Sequence, residues 1–188
     1  MNKVCFISTQ AIGPHQPFEK VYKKNLFGFS RMVSFSWIIA SRTNNDKYVI
    51  EKEHSYIIKP RCMVIPPDNI ITNEIAHEQG TEIETVLSLF RLDIKDRSLK
   101  VFISKDLDFH LRTLQAELVR YNMAVDFNKY LLIDIGDLFE KVYINKMDNI
   151  GETYMKYLKK ECYENDCMNI CELFFHLYNM YESRILDT

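Results

Sequence analysis

The stretch FGFSRMVSFSWIIAS, Phe27 to Ser41, decides how the first half of the chain is read. Phe, Val, Ile and Trp are interleaved with Ser and Arg, a pattern that fits the half-buried surface of a strand. Working outward, the short segments Lys47–Glu51, Tyr56–Ile58, Met63–Ile65 and Ile70–Glu74 also read as extended. Turn signals separate them: Asn44-Asn45-Asp46, Lys59-Pro60 and Pro66-Pro67-Asp68-Asn69. Glu82 to Leu92 is a further extended run, carrying Val86, Leu87, Leu89, Phe90 and Leu92. Short strands at this spacing predict a small sandwich or barrel.

Beyond this region the period changes. Leu107, Leu111, Leu114, Leu118 and Tyr121 recur at helical intervals from Asp106 onward. Tyr130, Leu131, Ile133, Ile135, Leu138, Val142 and Ile144 support a second helix from Asp126, weakened in the middle by Gly136. The two predict a helical hairpin joined at Asn122–Asp126. The tail reads as three shorter helical pieces: Thr153 to Cys162, a stripe of Ile170, Leu173, Phe174 and Leu177 after a turn and cap at Asn165-Asp166, and Tyr181 to Leu186 beyond a turn at Asn179.

Composition sets the outer limits. The chain of 188 residues is 47% hydrophobic and 13% aromatic, enough for a substantial core, so global disorder is excluded. Five Gly and five Pro leave no flexible linker. The run Val4 to Ile7 is too short for a signal-peptide core, and Val33 to Ala40 is too short to span a bilayer. An odd count of five cysteines, Cys5, Cys62, Cys162, Cys167 and Cys171, reads as reduced thiols in a cytoplasmic protein. Charge is uneven: residues 1–50 carry seven Lys/Arg against two acids, whereas residues 150–188 carry four against seven. The C-terminal tail is therefore electrostatically a poor DNA binder.

Three stretches carry a resemblance to a known family: YIIKPRCMVIPPDN (Tyr56 to Asn69), VLSLFRLDIKDRSLKVFI (Val86 to Ile103) and YLKKECYENDCMNICELFFHLYNMYESRIL (Tyr157 to Leu186). Tyr56 to Asn69 resembles a barrel segment of the AraC/XylS transcription regulators. Val86 to Ile103 is similar to their last barrel strand entering a linker helix, as in the virulence-regulator branch. Tyr157 to Leu186 resembles their first helix-turn-helix. The resemblance implies an α+β chain: a cupin-like effector-binding β-barrel over 1–103, a helical linker and dimerisation hairpin over 104–148, and an incomplete, degenerate helix-turn-helix over 149–188. Phe174 stands where that family has a small residue, Tyr181 replaces a capping Ser, and a second helix-turn-helix is absent.

The same resemblance implies a pocket for a small apolar, fatty-acid-like effector. Arg31, with Lys20, Lys23 and Lys24 nearby, would meet a carboxylate, and Phe27, Phe29, Phe35 and Trp37 would line the apolar part. Leu107, Leu111, Leu114, Leu118 and Tyr121 would pair two subunits, as a homodimer or a heterodimer with a related regulator. Ser183 and Arg184 would face DNA, weakly unless the chain continues. His15, His54, His77, His110 and His176 are isolated, and Cys162, Cys167 and Cys171 lack zinc-ligand spacing, so no metal or other cofactor is expected. No Gly-rich phosphate loop, nucleophile elbow or HExxH occurs, and Asp106 and Asp108 read as helix N-terminal charges, so no enzyme is expected. The expected function is a fragment of an AraC-type regulator. Two alternatives stand beside it: an interaction protein that heterodimerises with and inhibits a full-length regulator, and a small α+β chaperone-like binder.

Overall fold

The computed structural model describes residues 3–14, 20–43, 48–61, 64–163 and 166–186, with side chains of Arg42 and 181–186 outside the description. The turn at Asn44-Asn45-Asp46, and Lys47, Met63, His15, Cys62 and Asn165, lie outside the described residues.

No barrel forms. Strands β1 (Lys3–Ile12), β2 (Arg31–Arg42), β3 (Tyr48–Ile57), β4 (Leu99–Ser104) and β5 (Leu131–Asp134) make one open five-stranded sheet in the order β3-β2-β1-β4-β5. β1 and β2 pair antiparallel, as do β2 and β3, whereas β1 with β4 and β4 with β5 are parallel. The centre is β1, whose Cys5, Phe6 and Ile7 are fully buried. A continuous apolar run such as Val4 to Ile7 is what a strand covered on both faces requires.

Helices cover both faces. These are α1 (Asn73–Gln79), α2 (Ile83–Asp93), α3 (Leu107–Arg120), α4 (Ile135–Tyr143), α5 (Ile150–Leu158) and α6 (Asp166–Leu186). On one face Cys5, Ile7, Phe35, Trp37 and Phe102 meet Val86, Leu87 and Phe90 of α2 and Leu107, Leu111, Leu114 and Leu118 of α3. On the other, Val4, Phe6, Ile38 and Ile103 meet Ile135, Phe139 and Val142 of α4 and Ile170, Leu173, Phe174 and Leu177 of α6.

Several local readings change accordingly. Glu82 to Leu92 is helix rather than strand: Ile83, Val86, Leu87 and Phe90 are the buried positions, spaced three, four and seven apart. The expected strand at Ile70–Glu74 gives way to the start of α1, where the Thr72 hydroxyl accepts from Ile75 N–H. Ile65 is paired by a side chain instead of a strand, donating to and accepting from the Asn73 amide. The helical hairpin is also corrected. Only its first arm is α3; the other is β5 followed by α4. In the tail α6 runs unbroken through Asn179, so no helix-turn-helix is formed there.

Candidate functional site

In the strand order the chain leaves β1 in opposite directions, to β2 on one side and β4 on the other. The crevice at the carboxyl ends of strands flanking such a reversal is where open α/β sheets bind ligands. Here the opening has a local cause. β1 pairs with β4 only from Lys3 to Phe6, after which the strands part. Two side chains satisfy the backbone groups this frees. The buried Ser104 hydroxyl donates to the Ile7 carbonyl at 2.6 Å. The Thr9 N–H donates to His110 Nδ1 at 3.0 Å, and the Thr9 hydroxyl lies 2.9 Å from the same nitrogen.

A cleft of about 760 Å³ lies at this fork. Ser8 and Thr9 come from β1, Lys105, Asp106, Asp108 and His110 from the β4–α3 junction, Asp134 from the end of β5, Asp148 and Asn149 from the start of α5, and Asp166 from the start of α6. The carboxylates gather because helices begin here, and the first turn of a helix favours negative charge. Asp134 serves two helices at once. Its Oδ1 accepts from Gly136 N–H of α4 and its Oδ2 from Leu107 N–H of α3, both at 2.8 Å. Asn149 caps α5 by accepting from Glu152 N–H. Asp106 sits at the N-cap position of α3 in the left-handed region, with φ 53°, which Asp tolerates better than most residues. Burial raises the Asp166 carboxyl above its usual range.

His110 is held neutral. Burial lowers its pKa to about 4, and because Nδ1 accepts the Thr9 N–H, the ring proton resides on Nε2. The unfolded chain takes up this proton near the ordinary value of 6.5 and the folded chain only near 4. Stability from this group is therefore complete above about pH 6.5 and falls as pH drops toward 4. The expected loss relative to His110→Gln is on the order of 3 kcal/mol by pH 4. Urea unfolding of both proteins from pH 7.5 to 4 checks this. Parallel curves for the two would contradict it.

The residues expected to bind an effector do not line one space. Phe35 and Trp37 are fully buried in the core, Phe29 is buried, and Phe27 is 85% exposed. Arg31 Nε donates to Glu117 Oε1 at 3.0 Å, so this cation already has its carboxylate. Lys20, Lys23 and Lys24 are exposed. Leu107, Leu111, Leu114 and Leu118 pack on the sheet, with Tyr121 against the same cluster, so the stripe expected to pair subunits is covered within one subunit. The side chains of Ser183 and Arg184 lie outside the described residues. Sequence reasoning missed Ser8, Thr9, Asp134, Asp148 and His110 as cleft residues. The signal for some of them is an Asp or Asn directly before an apolar periodic run, which marks a helix start.

No family model matches the sequence, and no curated protein matches it. Solved structures do. The fold resembles that of E. coli exonuclease I. Against that enzyme in complex with a dT13 oligonucleotide the TM-score is 0.72 at 11% identity, covering 100% of this chain and 43% of the other. Against the zinc-ion-bound form of the E. coli enzyme with single-stranded DNA it is 0.69 at 12% identity, covering 97% and 41%. A complex of the enzyme with SSB-Ct gives 0.69 at 12% identity, over 97% and 41%. The chain spans about two fifths of the length of these structures.

These matches overturn the AraC/XylS reading, its cupin-like barrel and its effector-sensing function, since an open mixed sheet matched end to end leaves no barrel to enclose an effector. They also remove the ground for reading the chain as no enzyme, because the fold is one that an enzyme uses. Neither a dimer nor a fatty-acid partner finds support in them. Among the described residues no helix is long and apolar enough to cross a membrane. Among the described residues no three His, Cys, Asp or Glu side chains converge closely enough to hold a metal. Asp134 is occupied by backbone N–H groups and His110 Nδ1 by Thr9.

Proposed function

We propose that this chain is the nuclease-like module of a DNA-processing protein, and that its cleft at the carboxyl ends of β1 and β4 receives the end of a single strand. The observation that carries the reading is the end-to-end match to an exonuclease fold seen with oligonucleotides, with a cleft at the sheet's reversal point. Fold likeness supports the class of ligand; the chemistry must come from this chain's own residues. Ser8, Thr9 and Lys105 offer hydroxyl and ammonium donors to a sugar or phosphate, and neutral His110 fixes the Thr9 backbone and lies beside its hydroxyl. Asp106 and Asp108 are exposed at the mouth of the cleft, each ion-paired, Asp106 with Lys105 at 2.9 Å and Asp108 with Arg112 at 2.6 Å. Cys5, Cys162, Cys167 and Cys171 form no disulfide among the described residues, which is compatible with a reducing, cytoplasmic setting.

The test is fluorescence anisotropy with a 5′-labelled dT oligonucleotide, alongside gels that follow its length in Mg²⁺, Mn²⁺ or Zn²⁺. Saturable binding of the single strand, tighter than of a duplex of equal length, or progressive shortening, supports the reading. Neither binding nor shortening at 50 mM salt would overturn it.

A further inference from the structure

The cleft is acidic: Asp106, Asp108, Asp134, Asp148 and Asp166 face Lys105 and a neutral His110. A polyanion does not extend willingly along such a surface. Beside it lies another groove of about 490 Å³, which shares Asp108 with the cleft. Its floor is largely apolar, with Leu111, Leu118, Val125 and Phe127 among its walls, and Lys20 and Tyr22 stand at it as a cation and an aromatic ring. Lys20 and Tyr22 belong to a segment that continues through exposed Lys23 and Lys24 to Phe27, so cations and aromatic rings alternate along it. Tyr22 is 51% exposed and Phe27 85% exposed.

This segment is not loosely held. Arg120 Nη2 donates to the Leu26 and Phe29 carbonyls, each at 2.7 Å, and Arg120 Nη1 to Ser30 O at 3.0 Å. Lys23 Nζ donates to Asn122 Oδ1 at 2.6 Å, tying the segment to the end of α3. The backbone that carries the rings is thus fixed, so less backbone entropy is lost when a base stacks on them. Cations along a groove for the backbone, with aromatic faces for the bases, are the two components of single-strand binding without sequence preference.

Resting on the function proposed above, we infer that this groove is the track for the body of a single DNA strand whose end lies in the cleft. Tyr22 and Phe27 stack on bases, and Lys20, Lys23 and Lys24 neutralise phosphates. The strand bends past Asp108 and Arg112, which are ion-paired at 2.6 Å, from the groove into the cleft. Charge sorts the strand: its phosphate-rich length follows the lysines of the Lys20–Lys24 segment beside the groove, and only its terminus enters the acidic fork.

The experiment uses the full chain with fluorescein-labelled dT12, dT4 and a dT12 analogue whose internal positions are abasic. A Lys20→Gln/Lys23→Gln/Lys24→Gln variant is expected to reduce the slope of log K against log salt by about 2. A Tyr22→Ala/Phe27→Ala variant is expected to weaken dT12 binding by roughly tenfold or more, while leaving the abasic analogue nearly unaffected. All five positions are exposed, and circular dichroism melts confirm that the variants fold. Wild-type affinity for dT12 with unchanged affinity in both variants overturns this inference and leaves the cleft reading standing. No dT12 binding by the unaltered chain overturns both. An oligoglutamate peptide that competes as strongly as dT12, with no effect of the aromatic substitutions, assigns the groove to an acidic peptide and overturns the DNA track.

Discussion

Glu117→Ala is expected to destabilise the protein by about 3–5 kcal/mol, a large part of the stability of an ordinary domain. Glu117 is fully buried. Its Oε1 accepts from Arg31 Nε at 3.0 Å, from Met32 N–H at 3.1 Å and from Arg120 Nη1 at 2.8 Å. Removing it takes the only carboxylate among these contacts from two guanidinium groups, leaving the 12%-exposed Arg120 with backbone carbonyls alone, and leaves a buried backbone N–H without its acceptor. The Oε2 atom has no hydrogen-bond partner, so the carboxylate is already under-satisfied. A Glu117→Gln variant keeps the shape and one acceptor and should lose less than Glu117→Ala. Urea midpoints for both, with m-values to verify two-state unfolding, decide the matter. A loss below about 1 kcal/mol for Glu117→Ala would show that the network contributes little.

Trp37→Ala should cost a similar amount, about 3–5 kcal/mol, for a different reason. Trp37 is fully buried, and its ring lies 4.9 Å from Phe35 and 5.5 Å from Phe90. It also stacks on His54 at 4.6 Å. Truncation leaves a cavity in the layer between the sheet and α2 that such a close-packed interior cannot collapse to fill. Its Nε1 donates to Asp93 Oδ2 at 2.9 Å, and Asp93 also meets Lys52 and His54. Trp37→Phe should therefore lose roughly 1–2 kcal/mol, retaining most of the ring and only forfeiting the hydrogen bond. Trp37 is the single tryptophan, so unfolding of the variants is followed by far-ultraviolet circular dichroism, while the parent is followed by fluorescence. Equal stability of Trp37→Ala and the parent would place this side chain outside the core.

How much of this is legible in the sequence depends on which physical signal each element carries. The Arg31–Arg42 strand is clear because alternation of Ser with large apolar residues has one structural meaning. The first helix after β4, α3, is clear for the same reason at period 3.6. The segment Glu82 to Leu92 is ambiguous, because exposed Leu92 and half-buried Leu89 thicken the stripe of Ile83, Val86, Leu87 and Phe90 until it resembles a continuous apolar run. β5 is a short apolar run directly abutting a helix, and Leu131–Asp134 has too few residues to show a period. The central strand is hidden for another reason. Taken alone, Val4 to Ile7 invites comparison only with a targeting signal, and its burial on both faces depends on β4, which arrives far along the chain. The cleft follows from topology, so it cannot be read before the strand order is known. Its acids are visible as helix-start charges, and only their convergence is hidden.

The pairing of β1 with β4 has a bearing on how the molecule is made. On the ribosome, the β1–β2–β3 meander can zip together early, whereas Leu99, the partner of Lys3, emerges much later. Until then Val4, Phe6 and their neighbours present an open, greasy strand edge to whatever is nearby. During synthesis the nascent protein is therefore most prone to clumping before β4 appears, and a chaperone that shields extended apolar segments would raise its yield more than one that acts on the finished chain.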